Sequence, residues 1–223
     1  MSKIKIISSL ELNSNGLQCK DKSGKYKSVL LRQGTMDGAC ATYSVMMNLL
    51  ILRAINKSDT DVYAEHKSKA TKKLFDVFCN SYGMHRNGQS FVKIKKMLTE
   101  SFQTEVICER RNSDNEKSID YIKDFVLNDL PVVISVETSK FAHALLAIGI
   151  EYEEIQIENV ETEIVPTKIF CLDPSGTELK NNYWNSLIVL NPKTKGKKYK
   201  YHYLVDNEVY NVSLKDILLI QST

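Results

Sequence analysis

QGTMDGACATYSVMMNLLIL, residues 33–52, joins a turn-prone loop to a helix with almost no polar surface, and Cys40 sits at the joint. Gly34, Asp37 and Gly38 are loop and turn residues. From Ala41 onward, Tyr43, Met46, Met47, Leu50, Ile51 and Ala54 follow helical spacing, and Val45, Leu49 and Leu52 fill much of the remaining circumference. A helix that is apolar nearly all round is a buried one. Cys40 therefore falls in the first turn of a buried helix. There the backbone N–H groups lack internal acceptors and the helix dipole is positive. Both favour a thiolate, the nucleophilic form of cysteine. The N–H of Cys40 suits a developing oxyanion, and Gln33 offers a side-chain NH₂ as a second donor. The position equally suits a small residue packing a helix start, so this stretch alone leaves both roles open.

Composition narrows the field. A chain of 223 residues is most simply one domain and is long enough to bury a core without covalent staples. A net charge of +3 with 26% charged residues gives no general pull towards nucleic acid. The five cysteines, Cys19, Cys40, Cys79, Cys108 and Cys171, are scattered without metal-ligand spacing, which suggests neither a disulfide framework nor a zinc site. A reducing, cytoplasmic setting fits that usage. The first twelve residues hold two lysines and an interrupted apolar run, so no signal peptide is expected, nor any membrane span. Without a Gly-rich dinucleotide loop or a His-Glu-x-x-His helix, no cofactor or metal is expected. Lys193, Lys195, Lys197, Lys198 and Lys200, with Tyr199 and Tyr201, form one short basic cluster. It reads as a lysine-rich hairpin turn, and no nucleic-acid partner is expected.

Along the chain, residues 3–9 and 28–32 read as strands, with turns at 13–16 and 21–24. Helices are predicted over 63–80, 89–102 and 118–130, the last with Ser118 as N-cap, and a strand over 104–108. The second half is β-rich: 131–136, 142–150, 168–172, 184–190, 198–205 and 208–212. Asp206-Asn207 supplies a turn, and Ser213 is read as opening a short final helix, SLKDILLI. Helices segregated from strands imply an α+β fold. A helical lobe of about 34–130 is expected against a mostly antiparallel β lobe of about 131–223 plus strands within 1–33. The cleft lies between them.

A cysteine nucleophile needs a base, and the base needs an orienting group. The sequence holds four histidines. His66 and His202 sit among lysines and read as solvated, while His85 lies in a glycine-flanked loop that could line a groove. His143 instead opens a strongly apolar strand. Asp173 closes the strand KIFCL, ahead of Pro174, Ser175 and Gly176. In an antiparallel pair the start of one strand faces the end of the other. The midpoint of 143 and 173 is residue 158, in the polar Glu158-Asn159, so an unbroken hairpin brings His143 and Asp173 side by side. An aspartate there fixes the imidazole tautomer and supports the imidazolium. The length of 151–167 also allows an insertion at that point.

The order Gln33, then Asp37-Gly38-Ala39-Cys40 at a helix start, then His143-Ala144 opening a strand, then Asp173-Pro174 closing one, resembles the papain-like cysteine peptidase superfamily. Within it the pattern is most similar to the bacterial C39-type, bacteriocin-processing peptidases. The likeness spans roughly 33–176 by arrangement and only short motifs by identity. Asp37 stands where the papain signature has its first cysteine, and Ala41 where it has an aromatic. Asp37-Gly38-Ala39-Cys40 also echoes the Asp-Gly-x-Cys of OTU-type deubiquitinases. The resemblance implies a papain-like fold with Cys40 as nucleophile, His143 as general base and acid, Asp173 as orienter and Gln33 as oxyanion donor. The function it implies is a thiol hydrolase acting on a protein or peptide substrate through an acyl-thioester. The same residues would serve a glutamine deamidase or an acyltransferase, and a catalytically inactive binding module has the same outline.

Overall fold

The computed structural model describes residues 2–34, 38–61, 63, 68–82, 88–112, 115–157, 161–179, 181–190 and 198–223. In chain order they form β1 (Lys3–Ile6), β2 (Leu10–Asn13), β3 (Gly16–Lys20), β4 (Tyr26–Ser28), α1 (Cys40–Ile51), α2 (Lys69–Tyr82), α3 (Phe91–Phe102), β5 (Val106–Asn112), α4 (Asn115–Leu127), β6 (Val132–Glu137), β7 (Ala142–Ile157), β8 (Glu161–Leu172), β9 (Ser186–Val189), β10 (Tyr201–Val205) and β11 (Glu208–Ser222). None of the described helices is long and apolar enough to cross a membrane.

The β-rich half closes on itself. β6 pairs with β7, β7 with β8, β8 with β9, β9 with β10, β10 with β11, and β11 returns to β6, all antiparallel. Closure leaves these strands few open edges. β1 extends β7 beyond β6, and β5 extends β11 beyond β10. β2, β3 and β4 form a separate three-stranded sheet.

Alternation along the strands feeds two cores. Val132, Ile134, Val136, Leu145, Ala147, Cys171, Tyr203, Ile217 and Leu219 face the barrel interior, which α4 closes with Ile122 and Val126. Val133, Leu146, Ile148, Leu172, Leu218 and Ile220 face the other way, onto α1, α2, α3 and the small sheet. Strands shared by two cores are apolar on both faces, hence the unbroken run Ala144–Ile148 in β7, all of it buried.

α1 is positioned by that arrangement. Ala39 supplies no side-chain cap to it, so its placement rests on packing. The few polar side chains of the helix are buried, and Ser44 and Asn48 are used to dock it. Paired residues of β7 and β8 begin at Leu146 and Leu172, so β8 ends before it can cover Ala144. The Ser44 hydroxyl donates to the carbonyl of Ala144 there at 3.2 Å. One turn on, Asn48 Nδ2 donates to the carbonyl of Pro131 at 3.0 Å. Cys40, Ser44 and Asn48 recur every four residues and so share one helix face.

Several expectations need correction. The final segment SLKDILLI is not a helix: it is part of β11. Its Leu214, Ile217 and Leu218 mimic helical spacing because a register shift between Leu214 and Ile217 breaks the alternation, and residues 217–220 then serve both cores. Burying each such side chain contributes about 1.5–3 kcal/mol. Helix propensities differ by less than about 0.7 kcal/mol per residue, so burial decides. The turns at 13–16 and 21–24 carry strands on both sides, β2–β3 and β3–β4, that the reading left out, and the strand expected over 28–32 ends at Ser28. The segment 151–167 needs no insertion, because β7 and β8 stay paired as far as Ile157 and Glu161. α4, expected with the helical lobe, packs into the barrel core.

Candidate active site

Cys40 is the first residue of α1, and its thiol lies against the His143 imidazole. His143 stands at the start of β7, paired with Val136 of β6. Its Nε2 is 2.7 Å from Oδ1 of Asp173, immediately beyond β8. With Nε2 on Asp173, Nδ1 is the ring nitrogen left for the thiol. Three residues far apart in sequence thus form one contiguous set; with Leu146 paired to Leu172, His143 lies two residues short of the position opposite Asp173 and reaches it diagonally across the β7–β8 hairpin.

Asp173 is buried, and its carboxylate is fully used. Oδ1 also accepts from the N–H of Ser175 at 2.7 Å, and Oδ2 accepts from the hydroxyl of Tyr203 on β10. Its backbone is held by Asn185, whose Oδ1 accepts from the Asp173 N–H at 2.7 Å and whose Nδ2 donates to the Asp173 carbonyl at 2.9 Å. Gly176 lies under that contact; a Cβ there would be 2.6 Å from Asn185 Nδ2.

The charges favour an ion pair. Burial pushes the Cys40 thiol up, but the imidazole, with the N–H groups of Ala144 and Ala41, outweighs it and leaves the thiol below its ordinary 9.0. Burial pushes His143 down, while Asp173 and Cys40 pull it up to about 10. Burial pushes the Asp173 carboxyl up, and His143, Tyr203 and Ser175 bring it below its ordinary value. Burial and the neighbouring Asp173 push the Tyr203 phenol well up, so it remains a donor. The other described thiols contrast with Cys40: burial pushes Cys19 up to about 11, Cys108 up to about 12 and Cys171 well up. A thiolate is therefore favoured at one described cysteine.

Gln33 is brought to the same corner. Its N–H donates to the carbonyl of Pro174 at 2.9 Å, and its Nε2 donates to Ser175 Oγ at 2.6 Å. Its Oε1 is buried without a partner among the described residues. His202 is elsewhere, with Nδ1 2.9 Å from Asn211 Oδ1 across the β10–β11 pair. His66, His85, Asp37, the Glu158-Asn159 turn and Lys193, Lys195 and Lys197 lie outside the described residues.

Tyr203 and Asn185 were missed in the sequence. Tyr203 had a weak signal: in the alternating YHYLV run it shares a face with Tyr201, and a buried phenol needs an acceptor. Asn185 had none, because its partners are the backbone atoms of a distant turn.

Beside the imidazole opens a cleft of ≈ 520 Å³. Phe141, His143, Tyr203 and Tyr210 line it, with Asp206 and Glu208 from the β10–β11 turn. Phe141 meets Tyr210 edge-on at 5.4 Å, and Tyr210 stacks with Tyr203 at 6.1 Å between ring centroids.

No family model and no curated protein matches the chain. Among solved structures, UfSP from C. elegans aligns at a TM-score of 0.44 and 15% identity, covering 99% of this chain and 34% of that one. The chain thus spans about a third of the length of the solved structure it matches.

Proposed function

We propose that the chain is a papain-like cysteine peptidase, a thiol hydrolase of peptide or amide bonds, with Cys40 as nucleophile, His143 as base and acid, and Asp173 as orienter. The observation that carries this reading is the imidazole held between a thiol at a helix N-terminus and a buried carboxylate. The kinship with C39-type peptidases, and the treatment of residues 1–223 as one two-lobed domain, belong to the same proposal.

The Cys40 thiolate attacks the substrate carbonyl, and the negative charge moves to the carbonyl oxygen. The first-turn N–H of Cys40 has no intrahelical acceptor and faces that oxygen in this mechanism. Gln33 supplies the second donor. One atom of its amide is engaged by Ser175 and the other is free among the described residues, so with the amide turned over Nε2 becomes the free donor. His143 gives its proton to the leaving amine as the C–N bond breaks, and an acyl-thioester remains on Cys40. Water, deprotonated by His143, then cleaves the C–S bond, and the thiolate–imidazolium pair is restored.

The test is a peptide library digested by the wild-type protein, Cys40→Ala and His143→Ala, with new N-termini read by mass spectrometry. New termini are expected with the wild type alone, since loss of a triad member costs about three or more orders of magnitude in rate. Identical termini from all three proteins would remove the peptidase reading. Ammonia release without chain cleavage would move the chemistry to a side-chain amide.

A further inference from the structure

The cleft beside His143 is built for a cation on an apolar stem. We propose that it binds the residue on the amine side of the reacting bond and selects arginine or lysine there. This rests on the role of Cys40 given above and names the substrate class of that site.

Position decides which side of the bond the cleft serves. His143 and Asp173 line it, and Cys40 does not. The acyl half of the substrate is bonded to Cys40, whereas the amine half receives its proton from His143. A cleft that shares the imidazole but not the thiol therefore takes the amine half.

Chemistry decides what fits. The rings of Phe141, Tyr210 and Tyr203 give an aromatic wall against which methylene groups can lie. Two exposed acidic residues, Asp206 and Glu208, also line the cleft, and Asp206 borders the neighbouring pocket of Thr177 as well. Asp206 uses Oδ1 for the N–H and hydroxyl of Thr177, at 3.2 and 2.8 Å. The Glu208 carboxylate has no hydrogen bond or ion pair among the described residues. Among the described residues no lysine or arginine lines the cleft to answer them, although the chain as a whole carries a net +3. The Asp173 carboxylate is matched by His143 and leaves the charge balance to Asp206 and Glu208. An acidic residue is repelled here, and a neutral one uses the wall but leaves the charge of both carboxylates unanswered, Asp206 keeping only its Thr177 hydrogen bonds. Arginine uses both, stacking on the rings and donating in a plane to a carboxylate.

The reverse of amine departure provides a test that needs no known substrate. The protein is acylated on Cys40 with a small activated thioester, and amino-acid amides compete with water for the acyl group. In the transfer, the amine lone pair attacks the thioester carbonyl and the C–N bond forms. The C–S bond breaks, the amine proton passes to His143, and sulfur leaves as thiolate. The ratio of amide product to free acid is measured within each protein. Arginine amide is expected to capture the acyl group at least ~10-fold better than norleucine amide, with glutamate α-amide poorest, the scale of one well-placed charge contact. Glu208→Gln combined with Asp206→Asn should bring arginine and norleucine to within about twofold, as should high salt in the wild type. Equal capture in the wild type, or preference for the acidic amide, overturns the cationic pocket while leaving Cys40 acylation intact. If Cys40 is not acylated at all, the nucleophile assignment fails instead. Chemical-shift titration of Cys40→Ala with the same amides then decides the pocket separately: tighter binding of arginine amide supports it, and equal binding overturns it.

Discussion

Asn185 is matched to the backbone of Asp173 on both sides, accepting from its N–H at 2.7 Å and donating to its carbonyl at 2.9 Å. The pairing substitutes a side chain for the neighbouring strand that Asp173 lacks once β8 ends. It fixes the carboxylate by fixing the peptide on which it stands. Asn185→Ala leaves the Asp173 N–H unpaired and its carbonyl with the Gly176 N–H alone, at 3.2 Å, and a loss of about 1–3 kcal/mol is expected, the cost of one unmade buried bond. Urea denaturation measures it; an unchanged midpoint would mean that the pairing contributes nothing.

Tyr203 bears on the same carboxylate from the barrel side. Tyr203→Phe removes the donor to Asp173 Oδ2 and keeps the ring stacked with Tyr210. The carboxylate, with one donor fewer, holds the imidazolium proton more tightly. The alkaline limb of activity should move up, and kcat should fall about tenfold with little change in KM. A rate profile that superimposes on the wild type would reduce Tyr203 to core packing.

The pH dependence follows from the directions of the shifts. His143 is raised, so its contribution to stability is fully present below its ordinary 6.5 and is lost as pH rises through about 10. Asp173 is depressed, so its contribution is present above the ordinary carboxylate value and is lost as pH falls through the depressed one. Asp173→Asn removes the charge that supports the imidazolium. The pH at which Cys40 becomes half-reactive to iodoacetamide should then move up towards 9.0. An unmoved titration would uncouple Asp173 from the thiol.

Gly149 marks a close approach between strands. A Cβ there would lie 2.3 Å from Ile6 Cδ1 and 2.7 Å from the carbonyl of Lys5, so β1 must shift to admit it. Gly149→Ala is expected to cost about 1–3 kcal/mol and to speed amide exchange in β1 before the rest of the sheet. Unchanged exchange there would show that β1 is not held at this point.

Much of the site was legible because it rests on local pattern and simple register. The helix at Cys40 follows from an apolar run, and the approach of His143 to Asp173 follows from counting along one hairpin to within two residues, its strands reaching Ile157 and Glu161 on either side of the expected turn while the register pairs Leu146 with Leu172. Barrel closure was not legible, since it depends on β11 pairing with β6, and β11 reads as helix where a bulge and two-sided burial hide its period. Asn185 and Tyr203 were hidden for a related reason: each reaches Asp173 through the tertiary fold, with no spacing to announce it.

The reactivity of the cysteines in the native protein tests the central claim most directly. Iodoacetamide labelling at neutral pH, read at each site by mass spectrometry, is expected to modify Cys40 at least ~10-fold faster than Cys19, Cys108 and Cys171, because only a thiolate is an effective nucleophile. His143→Ala should abolish that lead. Labelling of Cys40 no faster than the buried thiols, or a lead that survives the loss of His143, would contradict an imidazole-activated nucleophile at this helix start.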